Sequence, residues 1–159
     1  MKDHDAFNEI LTKAYKRMHR YTCAEASLQA LLELWNLSLE VHSWATAGYM
    51  GAIASGETTC GLLIGSSTAI SLRCGQKTED IPEEHEDERN LAIQAVGELY
   101  NGFLDKFGST NCKTLNRVDF RKGEEITEWM AARGWKKTCD VFLDYAVRKC
   151  VKMVEEGKI

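Results

Sequence analysis

The chain has 159 residues, 44% hydrophobic and 28% charged, with one proline, a formal net charge of −4 and a pI near 5.6. That length supports one helical domain over residues 1–159 with a core that needs no cross-links, and the composition is that of an ordinary globular protein. The acidic balance, without a basic stripe, argues against nucleic acid as a partner, and the longest weakly polar run, Gly61 to Leu72, is too short to span a bilayer.

Apolar residues Phe7, Ile10, Leu11, Ala14, Tyr15 and Met18 recur at helical spacing and predict an amphipathic helix from about Asp5 to His19. Its opening, MKDHDAFNEI, is acidic and unlike a signal peptide, so a cytoplasmic protein is expected. Thr22 and Glu25 match a capping box, so a second helix starts at Thr22, with Leu28, Leu31, Leu32 and Trp35 as its core stripe. A third helix is predicted over Ser43 to Ala54. The fourth lies in GETTCGLLIGSSTAISLRCG, with Thr58 or Thr59 as N-cap and Gly75 as its stop.

After an acidic loop around TEDIPEEHEDE, Leu91, Ala95, Val96, Leu99, Phe103 and Phe107 mark a long fifth helix ending at Gly108. A turn over Asn111 to Leu115, a short helix from Glu124 to Ala132 stopped by Gly134, and a last helix from about Lys137 to Glu156 complete the chain. No strand pattern and no internal repeat is present. The expected fold is an all-α, single-domain bundle of about five to seven helices.

In a cytoplasmic setting six cysteines read as metal ligands or redox groups before structural disulfides. Cys60 and Cys74 sit on one predicted helix roughly 21 Å apart, and Cys139 and Cys150 on another roughly 16 Å apart. A disulfide needs Cα atoms within about 7 Å, so any pairing or shared metal must recruit thiols from different helices. Four cysteines directly follow a capping residue type: Thr22-Cys23, Thr59-Cys60, Asn111-Cys112 and Thr138-Cys139. Where those caps form, the thiols sit at helix starts, whose partial positive charge lowers a thiol's pKa and suits a nucleophile or ligand. Cys74 and Cys150 follow Arg73 and Lys149 instead and read as accessory. Gly61, Gly65 and Ala69 recur every fourth residue, a smooth strip on which another helix can approach closely beside Cys60.

Together these segments resemble a family of redox-active proteins named for the order Cys, then Gly-Cys-Ala-x-x-Gly, then two further Cys. YTCAEASLQALLEL is similar to the first cysteine segment and TTCGLLIGSSTAISLRCG to the central motif, while GSTNCKTL and KKTCDVFLDYAVRKC carry the third and fourth cysteines. The likeness runs from Tyr21 onward. Two departures stand out: Thr59 occupies the place of the first motif glycine, and Gly65 comes five rather than four residues after Cys60. The resemblance implies a helical domain of mostly anaerobic microbes with a redox role, no assigned reaction, and a relation to a domain of split-Soret cytochromes. The chain has no Cys-x-x-Cys, and so no Cys-x-x-Cys-His, which removes thioredoxin-like, ferredoxin-type, zinc-ribbon and covalent haem sites from the expected set.

Three functions follow as expectations. In the first, Cys23, Cys60, Cys112 and Cys139 come together from four segments to hold an iron–sulfur cluster or another thiolate-bound metal, exchanging electrons with a redox partner. In the second, the protein is a metal-free thiol–disulfide oxidoreductase or redox sensor, with Cys60 attacking and Cys23 resolving. The third is a non-catalytic module or homodimer that packs through the glycine strip, its cysteines serving as buried filler. His4, His19, His42 and His85, and the basic pairs Lys16-Arg17 and Arg148-Lys149, read as solvated, although His42 and Glu57 lie on loops that can reach the site. No phosphate loop, serine nucleophile elbow or paired-carboxylate signature is present.

Overall fold

The apolar periods of the sequence translate into helices along nearly the whole chain. The computed structural model describes residues 2–20, 22–76, 78 and 84–159, with side chains from Phe7 onward. In chain order they are α1 (Lys2–Met18), α2 (Cys23–Leu34), a 3-10 turn (His42–Thr46), α3 (Tyr49–Ala54), α4 (Gly61–Cys74), α5 (Glu86–Phe107), α6 (Cys112–Asn116), α7 (Gly123–Ala131), α8 (Gly134–Lys137) and α9 (Cys139–Glu155). No strand forms among the described residues, and extended pairing is limited to an isolated bridge between Thr59 and Asn111. The fold is all-α. Among the described residues no helix is long and apolar enough to cross a membrane.

Helix α1 lays Leu11 and Ala14 on α2, and the pairing is reinforced where Lys13 and Arg17 reach Glu33 of α2 at 2.9 and 2.6 Å. Arg17, read from sequence as solvated, therefore ties two helices. At the start of α2 the predicted capping box forms: the Glu25 amide donates to Thr22 Oγ1 at 3.1 Å, and the Thr22 amide donates to Glu25 Oε2 at 2.9 Å. Replacing Thr22 by alanine strands the Glu25 amide at the end that carries Cys23. A loss of about 1 kcal/mol is expected in urea unfolding, and an unchanged midpoint would show the box to be energetically idle.

The core joins α2, α4, α5 and α9. Leu28, Leu31 and Leu32 face Leu62, Leu63 and Ile70, with Leu99, Phe103, Leu143 and Val147 closing the other side, all fully buried. Phe103 and Phe107 of α5 meet Phe142 and Tyr145 of α9 edge to face, with ring centres 4.8 to 5.8 Å apart. Helix α5 begins with Glu86, Asp87 and Glu88, which suit the positive end of its dipole, and stops at Gly108 in the left-handed conformation, φ 75°.

Three boundaries differ from the sequence reading. The third helix is broken into the 3-10 turn and α3, because Gly48 and Gly51 weaken continuous helix and exposed Val41 and Trp44 supply no buried stripe. Gly134 does not stop a helix but opens α8. The preceding Arg133 takes the left-handed position, φ 51°, and a side chain at residue 134 would collide with the Trp129 indole. The last helix accordingly starts afresh at Cys139, after Thr138 in a non-helical conformation. Residues 79–83 of the acidic stretch TEDIPEEHEDE lie outside the described residues, and its last three residues open α5.

Candidate functional site

All four motif cysteines stand at helix starts. Cys23 opens α2 behind Thr22, and Cys112 opens α6 behind Asn111, whose Oδ1 accepts the Thr114 amide at 3.0 Å. Cys139 opens α9. Cys60 is itself the N-cap of α4, in place of the expected Thr58 or Thr59. Those threonines are engaged elsewhere: the Cys60 amide donates to the Thr110 carbonyl at 2.7 Å and the Cys112 amide to the Thr58 carbonyl at 2.8 Å. This two-bond clamp around the Thr59–Asn111 bridge sets Cys60 and Cys112 on adjoining backbones. Tyr49 of α3 secures it, donating to the Thr59 carbonyl or pairing with the Thr58 hydroxyl, each at 2.7 Å.

The glycine strip brings in the third thiol. A Cβ built on Gly61 would lie 2.5 Å from Cys23 Sγ, and one on Gly65 would run into the Ala24 carbonyl and Ser27 Oγ. Helix α2 therefore presses its first turn onto α4, and Cys23 rests against the residue that follows Cys60. At Gly61 and Gly65 the strip's occupant is α2 of the same chain. Asn116 brings in the fourth thiol: its amide nitrogen lies 3.6 Å from Cys112 Sγ, and its oxygen 3.5 Å from Cys139 Sγ.

Electrostatics follow from this crowding. Burial pushes all four thiols up, Cys112 to about 11 and Cys139 to about 12, with Cys23 and Cys60 well above the ordinary value of 9.0. Mutual repulsion adds to burial: Cys60 is raised by Cys23, Cys112 and Cys139, and Cys23 by Cys139 and Cys112. The expectation that helix starts would lower these pKa values is not met, because desolvation of a thiolate outweighs a partial dipole charge. All six cysteines are free thiols. Among the described residues no three His, Cys, Asp or Glu side chains are grouped so as to hold a metal ion as they stand.

Comparison with known families matches residues 21–155 to the family described as "Putative redox-active protein (C_GCAxxG_C_C)". The chain belongs to this family. The matched span takes in the four thiols just described and all the helices from α2 to α9. Comparisons with curated proteins and with solved structures find no match. In this member of the C_GCAxxG_C_C family the first motif glycine is Thr59, whose backbone is spent on the bridge to Asn111. The second motif glycine falls on Ile64, which lines a groove between α4 and α5, while Gly65 one residue later meets the α2 backbone.

The remaining candidates separate from the site. Cys74 lies half-buried near the far end of α4, and Cys150 is fully buried beside Ser66. His19 packs edge-on against Trp135, exposed His42 turns to the Ser38 carbonyl, His85 lies 3.9 Å from Glu88, and the His4 side chain is outside the described residues. Glu57 does reach the rim: it pairs with Lys113 at 3.1 Å, next to Cys112, and Lys113 also meets buried Asp119, whose carboxyl Arg121 and Lys113 hold well below its ordinary range. Sequence reasoning missed Tyr49 and Asn116. Asn116 carried a faint signal, four residues after Cys112 and thus on the same helix face, whereas nothing in the sequence marks Tyr49.

Proposed function

We propose that Cys23, Cys60, Cys112 and Cys139 act as one thiolate site for redox chemistry, holding an iron–sulfur cluster or a single thiophilic metal ion. The observation that carries this reading is the convergence of four thiols, two buried and two partly buried, in which the ionisation of Cys23, Cys60 and Cys139 is further disfavoured by neighbouring motif cysteines. A cation relieves that suppression, because it takes the place of the protons and makes each thiolate favourable. The donor set is soft and sulfur-only, which fits iron–sulfur or zinc chemistry and not calcium or magnesium. When bound, an iron–sulfur centre supplies one-electron transfer. The starts of α2, α4 and α9 add partial positive charge on the side of the thiolates. Loading would require the helix starts to draw inward, since no three ligands are grouped as they stand.

Protein purified without oxygen is expected to absorb near roughly 400 nm with matching iron and sulfide, and to lose both when any of the four cysteines becomes serine. For a colourless preparation, zinc is the probe: uptake at neutral pH should release protons, because the thiols bind as thiolates. A preparation that holds no iron and neither binds zinc nor releases protons would sink the metal reading. The metal-free alternative has its own support in Cys112, the least raised of the four, where an amide N–H faces the sulfur. On that reading Cys112 is a better attacking thiol than Cys60, which burial and three neighbouring cysteines raise further.

A further inference from the structure

Asn116 closes α6 and is 7% exposed, yet every polar atom of its side chain is occupied. Its nitrogen donates to the Cys112 carbonyl at 3.0 Å and faces Cys112 Sγ at 3.6 Å. Its oxygen accepts from the Thr138 hydroxyl at 2.6 Å and from the Cys139 thiol at 3.5 Å. Chemistry fixes the orientation of the amide: the Cys112 carbonyl can only accept, so nitrogen must face it and oxygen is left for α9. One planar group therefore reaches sulfurs on two helices, as donor to one and acceptor from the other. Helix α6 has five residues, too few to hold itself in place, so its position comes from the Thr58–Cys112 clamp on one side and from Asn116 on the other.

We propose that Asn116 is a positioning residue that couples Cys112 to Cys139, making them the pair that first engages one thiophilic atom together. The inference rests on reading the four thiols as one site. It adds that the site is built of unequal halves, with Cys112 and Cys139 joined by a shared amide while Cys23 and Cys60 are set by helix packing. Polar groups that orient thiolates and histidines from behind commonly govern affinity in this way.

The test uses the full chain, metal-free and reduced, with phenylarsine oxide as probe. Arsenic(III) condenses with a dithiol: two S–H bonds break, two As–S bonds form and the arsenic-bound oxygen leaves as water, with no change in oxidation state. Peptide mapping then reads which two cysteines carry the arsenic. In the wild type Cys112 and Cys139 are expected to carry most of it, and Asn116→Ala should lower that share by about tenfold, moving arsenic to pairs that include Cys23 or Cys60. Asn116→Asp keeps the shape and the oxygen towards Thr138 but removes the N–H groups. It should behave like the alanine variant, and a wild-type pattern would reduce Asn116 to packing and overturn the proposal.

Native alkylation of Cys150, fully buried, reports whether each variant keeps its fold. Should Asn116→Ala expose Cys150, Thr138→Val carries the comparison, since it leaves α6 untouched and removes the hydroxyl that meets the Asn116 oxygen at 2.6 Å and the Cys139 sulfur at 3.8 Å. An unchanged Cys112–Cys139 share in the folded variants, or a wild type bridged at another motif pair, overturns the coupling while leaving the one-site reading intact. A wild type in which no motif pair is bridged sinks both.

Discussion

Gly65→Ala is expected to cost about 3 kcal/mol or more in folding stability, an unusually large loss for adding one methyl group. The added Cβ would collide with the Ala24 carbonyl and with Ser27 Oγ, the latter itself bonded to the Leu62 carbonyl of α4 at 3.2 Å. Backbone cannot rotate out of the way as a side chain can, so relief requires α2 and α4 to separate along their most intimate contact. The same separation carries Cys23 away from Cys60, and metal or arsenic uptake at the site should fall together with stability.

Two other glycines calibrate this prediction. On Gly61 the added atom would meet the Cys23 sulfur, a movable side chain, so Gly61→Ala should disturb the site more than the fold. On Gly97, in the middle of α5, nothing lies within 4 Å, and alanine should stabilise by up to about 1 kcal/mol through helix propensity. Urea unfolding of the three variants orders them as Gly97→Ala, Gly61→Ala, Gly65→Ala from most to least stable. A Gly65→Ala midpoint within error of the wild type would show that α2 and α4 do not pack as closely as described.

Alkaline unfolding is the second large effect. Cys23, Cys60, Cys112, Cys139 and Cys150 all titrate higher folded than their ordinary value of 9.0, because burial disfavours the thiolate. The unfolded chain therefore gives up these protons first, and raising the pH draws the equilibrium towards it. The stability held in neutral thiols is complete below about pH 9 and is lost progressively as the pH climbs from there to the folded values, about 11 for Cys112 and about 12 for Cys139 and Cys150. Each thiol contributes about 1.4 kcal/mol per pH unit inside that window, so several together remove on the order of 5 kcal/mol between pH 9 and 10.

That loss matches the lower end of the stability of a typical domain, and the urea midpoint of reduced, metal-free protein is expected to fall steeply between pH 9 and 10. Zinc should delay the fall, because motif thiols bound as thiolates have no proton left to lose in the folded state. The check is a series of urea midpoints from pH 7 to 10, taken with and without zinc under reducing conditions. Flat midpoints across the series would mean that the thiols are open to water, against their burial.

The sequence by itself determined the helical class, most helix positions and the membership of the cysteine motif, because these depend on local quantities. Apolar period wrote α1, α2, α5 and α9; the Thr22–Glu25 box wrote the start of α2; the small-residue strip wrote a close helix contact beside Cys60. What only the tertiary structure decided is which groups meet. The cap of α4 passed from Thr58 and Thr59 to Cys60, because a backbone bridge to residues 110–112, some fifty positions away, claimed the threonines. The thiols' protonation moved opposite to the local expectation, since helix ends act within one turn while desolvation depends on everything packed around the sulfur. Asn116 reaching Cys139, twenty-three residues on, is likewise a product of how α6 and α9 are placed, which no spacing along the chain encodes.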